Sequence, residues 1–316
     1  MAEGYWIKRE KEHIEKNKKT DAEMMALIRK KQKESMRNIE KEINAFYGKF
    51  ATTEGITMAE ARKRVDKLDI EAYADKAKRY VSYAHSDNPL IQALAFTDKA
   101  HEEMRIYNVT MKINRLELLK ANVALELAAL ASAEERFLLE KLTEGAREEY
   151  LRQSGILGMA LNANEKDLVK IVNASFHSAT WSDRIWANQA ALKSDLNKLM
   201  TRGIVNGNGP KELARELRKA FEVSIKDSER LAITEMARIQ TDVFFDSMNQ
   251  ADITEYTWVA EGRACPLCSA LNGRVFDKDD VKMGINTVPR HPRCRCSLAM
   301  HIDRNAWEAD LKRRGL

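Results

Sequence analysis

Turn-forming residues are scarce in this chain. Its 316 residues include 13 glycines and 5 prolines, where average usage is about 7% and about 5%. That scarcity argues against a fold of many short strands and tight turns. Together with 32% charged residues it points to long helices with solvated faces. No apolar run approaches the roughly 20 residues needed to span a bilayer, so no membrane partner is expected. Residues 1–19 are charged throughout, without a signal-peptide core, and the chain is expected to be made in the cytosol. Cysteine is scarcer still. There are 4, all between Cys265 and Cys296, and in a reducing compartment such a cluster favours a metal over disulfides. A dominant charge sign is also lacking. The 53 basic and 48 acidic side chains leave +5, a bias that permits contact with nucleic acid without demanding it.

The motifs of common enzymes are missing as well. Gly207-Asn208-Gly209 follows no strand and makes no phosphate loop. Ser154 and Ser178 lie in no nucleophile elbow. There is no His-Glu-x-x-His, and no His-x-Glu followed by Pro-Cys-x-x-Cys. A zinc hydrolase would need an open coordination position and a base, for which Glu261 or Glu235 is nearest. The expectation is a protein without catalysis. No repeat of fixed period and no low-complexity tract is present.

What is present is chiefly helix. Residues 5–50 carry Met24, Leu27, Ile28, Met36, Ile39, Ile43, Phe46 and Tyr47 at helical spacing, with Lys and Glu on the other face. Thr20 with Glu23 makes a capping-box pattern, and Thr57 with Glu60 makes another. The first helix reads as a surface helix, or as an arm that docks on a partner or on a second copy of the chain. Short helices are expected over 58–68 and 70–85, and then a turn at Ser86-Asp87-Asn88-Pro89, with Pro89 opening a helix. Residues 90–143 hold no Gly or Pro and are rich in Ala and Leu, which makes them the strongest helical stretch. Gly145, Gly155 and Gly158 then loosen the chain. Residues 164–199 are helical in pattern, with Trp181 and Trp186 as core anchors. The loop 203–210 ends at Pro210, which starts a helix to Phe221, and Ser224 with Asp227 opens another to about Asn249.

The pattern then changes. Glu255-Tyr256-Thr257-Trp258-Val259 alternates and is β-branched and aromatic, so it reads as a strand. Asn272-Gly273 turns into a second strand through Val275 and Phe276, and residues 295–302 suit a third. The fold class is mainly α (α+β): an extended helical N-terminal region with a small C-terminal zinc-knuckle β module. The segments are a charged helical arm over 1–88, a helical domain over 89–203 and a C-terminal domain over 204–316, with the metal-binding module at 255–302.

Cys265-Pro266-Leu267-Cys268 is a two-residue-spaced pair that lets two thiolates bite one ion, and His291, Cys294 and Cys296 follow. Five candidates compete for four tetrahedral places. Cys294 and Cys296 can both bind, with His291 supporting them, or His291 and Cys294 bind while Cys296 packs in the core. Arg293 and Arg295 would offset thiolate charge or face a partner. The module is short and poor in large apolar residues, so it cannot bury enough surface alone. A structural zinc supplies on the order of 10 kcal/mol to small domains. His13, His85, His101, His177 and His301 are scattered and read as surface or core residues.

These residues carry a resemblance. Trp258, Cys265-Pro266-Leu267-Cys268, Leu271-Asn272-Gly273 and His291-Pro292-Arg293-Cys294-Arg295-Cys296 together resemble the C-terminal module of phage minor head (head-morphogenesis) proteins, the family similar to protein F of phage Mu. Upstream, Leu231-Ala232-Ile233-Thr234-Glu235-Met236-Ala237-Arg238 is similar to that family's Thr-Glu helix, with Ile233 where the family usually carries Arg. The resemblance spans roughly 204–302. It implies a virion component that enters the procapsid with portal and scaffold, sits inside the head, and assists head assembly and in some members DNA delivery. The implied partners are the portal protein, capsid and scaffold proteins, and packaged DNA. The competing readings are a zinc-ribbon nucleic-acid binder using Arg274, Arg290, Arg293 and Arg295, and a zinc hydrolase or toxin domain.

Overall fold

A computed structural model describes residues 2–50, 67–83, 86, 88–92, 95–97, 99–100 and 115–301. The elements among them are helices α1 (Ala2–Phe50), α2 (Lys67–Ser82), α3 (Pro89–Gln92), α4 (Arg115–Leu157), α5 (Glu165–Val172), α6 (Trp181–Val205) and α7 (Pro210–Gln250). Strand β1 (Glu255–Val259), helix α8 (Pro266–Ser269), strand β2 (Val275–Asp277), a 3-10 turn (Lys278–Asp280) and strand β3 (Ser297–His301) follow. The chain is mainly helical with a small antiparallel sheet at its C-terminal end, as its patterning predicts. The helix expected over 58–68 lies almost wholly outside the described residues, as do residues 101–114 of the Ala/Leu-rich stretch.

Several helix ends differ from the sequence expectation, each for a local reason. Thr20 starts nothing: α1 runs unbroken through it, and the Thr20 hydroxyl donates back to the Lys16 carbonyl at 3.4 Å. Ser224 likewise lies inside one 41-residue helix, α7, where two were expected. No Gly or Pro interrupts α7, and the Ser224 hydroxyl is satisfied by Gln32 Oε1 at 3.2 Å. Gly145 and Gly155 do not loosen α4, which ends at Leu157 with Gly158 at φ +65°. Residues 164–199 hold two helices. Asn164 caps α5 by accepting the Asp167 N–H at 3.0 Å, and Asn173 closes it. His177 and Ser178 then take positive φ before Trp181 begins α6 and donates its Nε1–H to the Val172 carbonyl.

The chain forms two compact units, each built from separated segments: residues 1–25, 139–181 and 230–316, and residues 26–138 and 182–229. In the second, Ile39, Ile43, Leu127, Leu196, Met200, Leu217 and Phe221 make an aliphatic core. Much of the apolar stripe predicted along α1 is buried, at Met24, Ile28, Ile39, Ile43, Phe46 and Tyr47, while Leu27 is 44% exposed. In the first unit the sheet has order β2-β1-β3, all antiparallel, with Tyr256 facing Phe276 on one side and Met300 on the other. Tyr256, Trp258, Leu298 and Met300 pack with Phe244 and Met248 of α7 and with Cys268, Cys294 and Cys296. The three-stranded sheet is thus backed by a helix on one side of its own unit, and the thiols lie in that core.

Candidate metal centre

The first donors come from a single helical turn. Cys265 is the N-cap of α8, Pro266 sits at its first position, and the Ser269 N–H donates to the Cys265 carbonyl at 2.9 Å. That turn brings Cys265 and Cys268 onto one side. The loop before it is pinned to β1 and the turn after α8: the Ala260 N–H donates to Asn272 Oδ1, the Gly273 N–H donates to the Trp258 carbonyl at 2.8 Å, and Gly273 takes φ +76°. Glycine is the residue suited to that backbone conformation.

His291 closes on the pair. Its Nε2 lies 3.4 Å from the sulfurs of both Cys265 and Cys268. Its Nδ1 lies 2.9 Å from the Pro292 carbonyl, which only accepts, so Nδ1 carries the proton and Nε2 presents a lone pair to the thiols. Cys268 also lies 4.0 Å from Cys294, sulfur to sulfur. Two overlapping trios result, Cys265–Cys268–His291 and Cys268–Cys294–Cys296, with the donor atoms of each trio within 4.8 Å of one another. The structure therefore brings all five predicted donors together around Cys268. Cys268, Cys294 and Cys296 are buried, while Cys265 and His291 are half-buried.

The electrostatics suit a cation. A backbone bond from Cys268 holds the Cys265 thiol below its ordinary range, and a bond from Cys296 holds Cys294 down at about 5. Burial pushes Cys268 up to about 12, and the bond to Cys294, followed by burial, raises Cys296. Burial opposes a charge on His291, but its bond to the Pro292 carbonyl and the negative Cys294 and Cys265 outweigh it, so its pKa rises. Several thiols crowded in a partly buried space resist shared deprotonation unless a cation replaces the protons. Tetrahedral zinc, with Zn–S about 2.3 Å and Zn–N about 2.0 Å, places neighbouring donors roughly 3.5 to 3.8 Å apart. The distances of 3.4, 3.4 and 4.0 Å bracket that span. The donor set can hold a metal ion.

The surrounding charges have other roles than the sequence suggested. Arg295 is bound in two places by Asp21 of α1. Arg290 donates to the Leu267 carbonyl inside the knuckle, and Arg274 lies over the Phe276 ring at 5.6 Å. Arg293 donates its backbone N–H to Thr234 Oγ1 at 3.0 Å. Glu235 is fully buried and accepts from Arg238 Nε at 2.7 Å, and Glu261 pairs with Lys18. His301 meets Thr257 Oγ1 at 3.2 Å in the sheet and is not in the donor cluster.

Sequence reasoning missed two supports. Arg238 is buried and gathers Glu235, Asp242 and the carbonyls of Ile171 and Val172, which ties α7 to the C-terminal end of α5. Thr234 touches the donor turn directly. Both lie in the Thr-Glu helix, so the motif marked the segment, but nothing local named the acceptors.

The comparisons agree with the motif. No curated protein and no solved structure matches this chain. Residues 194–299, a third of the chain, match the family described as "Phage Mu protein F like protein". That stretch contains the whole donor cluster, the sheet up to β3 and the Thr-Glu helix. Over those residues the chain is similar to the phage Mu protein F-like proteins.

Proposed function

We propose that the chain is a minor capsid protein carried inside the phage head, bound to the portal, acting in head morphogenesis without catalysis, and built on one structural zinc. The carrying observation is that the family-matched segment folds into a donor cluster of four thiols and one oriented imidazole. Zinc there joins two otherwise separate pieces, the knuckle of α8 and the turn at 291–294. Cys265, Cys268, His291 and Cys294 hold it, with Cys296 packed beside Cys294. A shell filled by protein donors leaves no position for water, which is the mark of a structural site. Glu235 and Glu261, the bases a hydrolase would use, are held in ion pairs.

The partners follow from the family and from the surface. Most of the apolar stripe of α1 is buried, so this helix presents chiefly its Lys and Glu face to portal, capsid or scaffold. Contact with packaged DNA during delivery is the lesser part of the reading. Arg274, Arg290 and Arg295 are engaged within the module, and the net charge is only +5.

Two measurements test this. Elemental analysis with a thiol count before and after chelation should give one zinc per chain and thiols freed only by chelator. Tagged protein should co-purify with mature particles and with isolated portal. Metal-free protein with freely reactive thiols refutes the zinc, and absence from particles refutes the head assignment.

A further inference from the structure

The run His291-Pro292-Arg293-Cys294 is a β-turn, in which the Cys294 N–H donates to the His291 carbonyl at 3.1 Å. Proline fixes a negative φ at its second position, and Arg293 at the third has φ +62°. This is the type II pattern, whose third position favours glycine. An arginine there is strained, and the strained residue lies between two donors of the cluster. The N–H of that third residue has no acceptor within the turn itself.

Here the acceptor comes from α7. Arg293 donates its N–H to Thr234 Oγ1 at 3.0 Å, and the Thr234 hydroxyl donates onward to the Arg230 carbonyl at 2.6 Å. Thr234 is buried, and that onward bond fixes its proton away from Arg293, leaving a lone pair aimed at the turn. One turn along the helix, Arg238 anchors α7 through Glu235 and the end of α5, so the hydroxyl is presented from a rigid support.

We propose that Thr234 is a positioning residue of the metal centre: through the Arg293 N–H it holds closed the strained turn that carries His291 and Cys294. The proposal rests on the reading of the cluster as a metal site. Thr234→Val keeps the side-chain shape and removes both bonds, so the turn opens more often and releases metal sooner. Thr234→Ser keeps the hydroxyl. Arg293→Gly removes the strain, so the turn no longer needs the helix to hold it.

The test is the rate at which zinc-loaded full-length protein yields its metal to excess chromogenic chelator. Thr234→Val should release zinc on the order of tenfold faster than wild type, and Thr234→Ser within about twofold of it. Arg293→Gly should release zinc more slowly than wild type, and adding it to Thr234→Val should restore slow release. Equal rates for wild type and Thr234→Val, both loaded, overturn the proposal. Should Thr234→Val fail to fold by circular dichroism, Arg293→Gly alone decides: unchanged or faster release overturns it. A wild type that binds no zinc overturns the underlying metal reading instead, a distinct result.

Discussion

The unit formed by residues 26–138 and 182–229 has an aliphatic interior, with Ile39, Ile43, Leu127, Leu196 and Leu217 filling the space between helices. Its enclosed polar groups are tied mostly by carboxylates: Gln32 donates to Glu134 at 2.7 Å with Ser228 and Ser224 completing that knot, and buried Glu126 takes Lys76 at 2.8 Å. The unit formed by residues 1–25, 139–181 and 230–316 encloses arginines together with their carboxylates. Arg152 is held by Glu10 at 2.6 Å and Glu149 at 2.7 Å, Arg238 by Glu235 and Asp242, and Arg295 by Asp21, beside four thiols and an imidazole. Long helices bury enough apolar area to hold themselves together. Strands of five, three and five residues do not, so that region relies on ionic cross-links that join distant segments, to which the proposed zinc would add another. Such links are strong when complete and costly when halved.

That contrast can be broken at its strongest point by removing the proposed zinc. Chelation or Cys268→Ser should cost the C-terminal module on the order of 10 kcal/mol. The near-ultraviolet signal of Trp258, wholly buried against the thiols, should vanish while far-ultraviolet helicity persists. Concerted loss of both signals would show that the module is not a separate cooperative region.

Halving an ionic link comes next. Arg238→Met strands Glu235, Asp242 and two carbonyls, and should lower stability by about 3 to 5 kcal/mol in urea titration. A loss under about 1 kcal/mol would mean that water reaches the pair.

The aliphatic unit has a pH signature of its own. Burial pushes the Glu134 carboxyl up to about 7, above its value of 4.5 in the unfolded chain. The folded state then holds a proton that the unfolded state has lost between those values, so stability falls as pH rises through that window. The stabilisation is complete below about pH 4.5. Glu134→Gln should flatten this slope, worth roughly 3 kcal/mol between pH 4.5 and pH 8. His13, in the other unit, has the opposite sign. Burial lowers it to about 4, so its contribution is present above 6.5 and is lost as pH falls towards 4.

The smallest effect compares two helical glycines. A Cβ on Gly145 would meet the end of Met236 at 2.4 Å, and one on Gly203 would meet Leu213 Cδ2 at 2.4 Å and Cγ at 3.2 Å. The Met terminus can swing aside, and alanine adds about 1 kcal/mol of helix propensity. Gly145→Ala should therefore be near neutral in thermal denaturation. Gly203→Ala should lose about 1 to 2 kcal/mol, because a branched Leu moves only with its packing. Equal melting temperatures would refute this distinction.

Much of the site was legible because its parts are local. Strand alternation at 255–259 marked β1, and the spacing of Cys265 with Cys268 needs only one turn of chain to converge. The caps misled where they lay inside helices: Thr20 and Ser224 carry the right chemistry for helix starts, yet their hydroxyls are satisfied by Lys16 and Gln32 instead. The compact units, each made of separated segments, leave no mark on local composition.

The sequence by itself determined the long helices, through its shortage of glycine and proline, and the set of five candidate donors, through residue type and spacing. Only the tertiary structure decided that Cys268 is the donor common to both trios, that Asp21 takes Arg295, and that Thr234 receives the Arg293 N–H. Such pairings join residues as many as 274 positions apart. No periodicity links positions so distant, and only packed helices bring them within bonding distance.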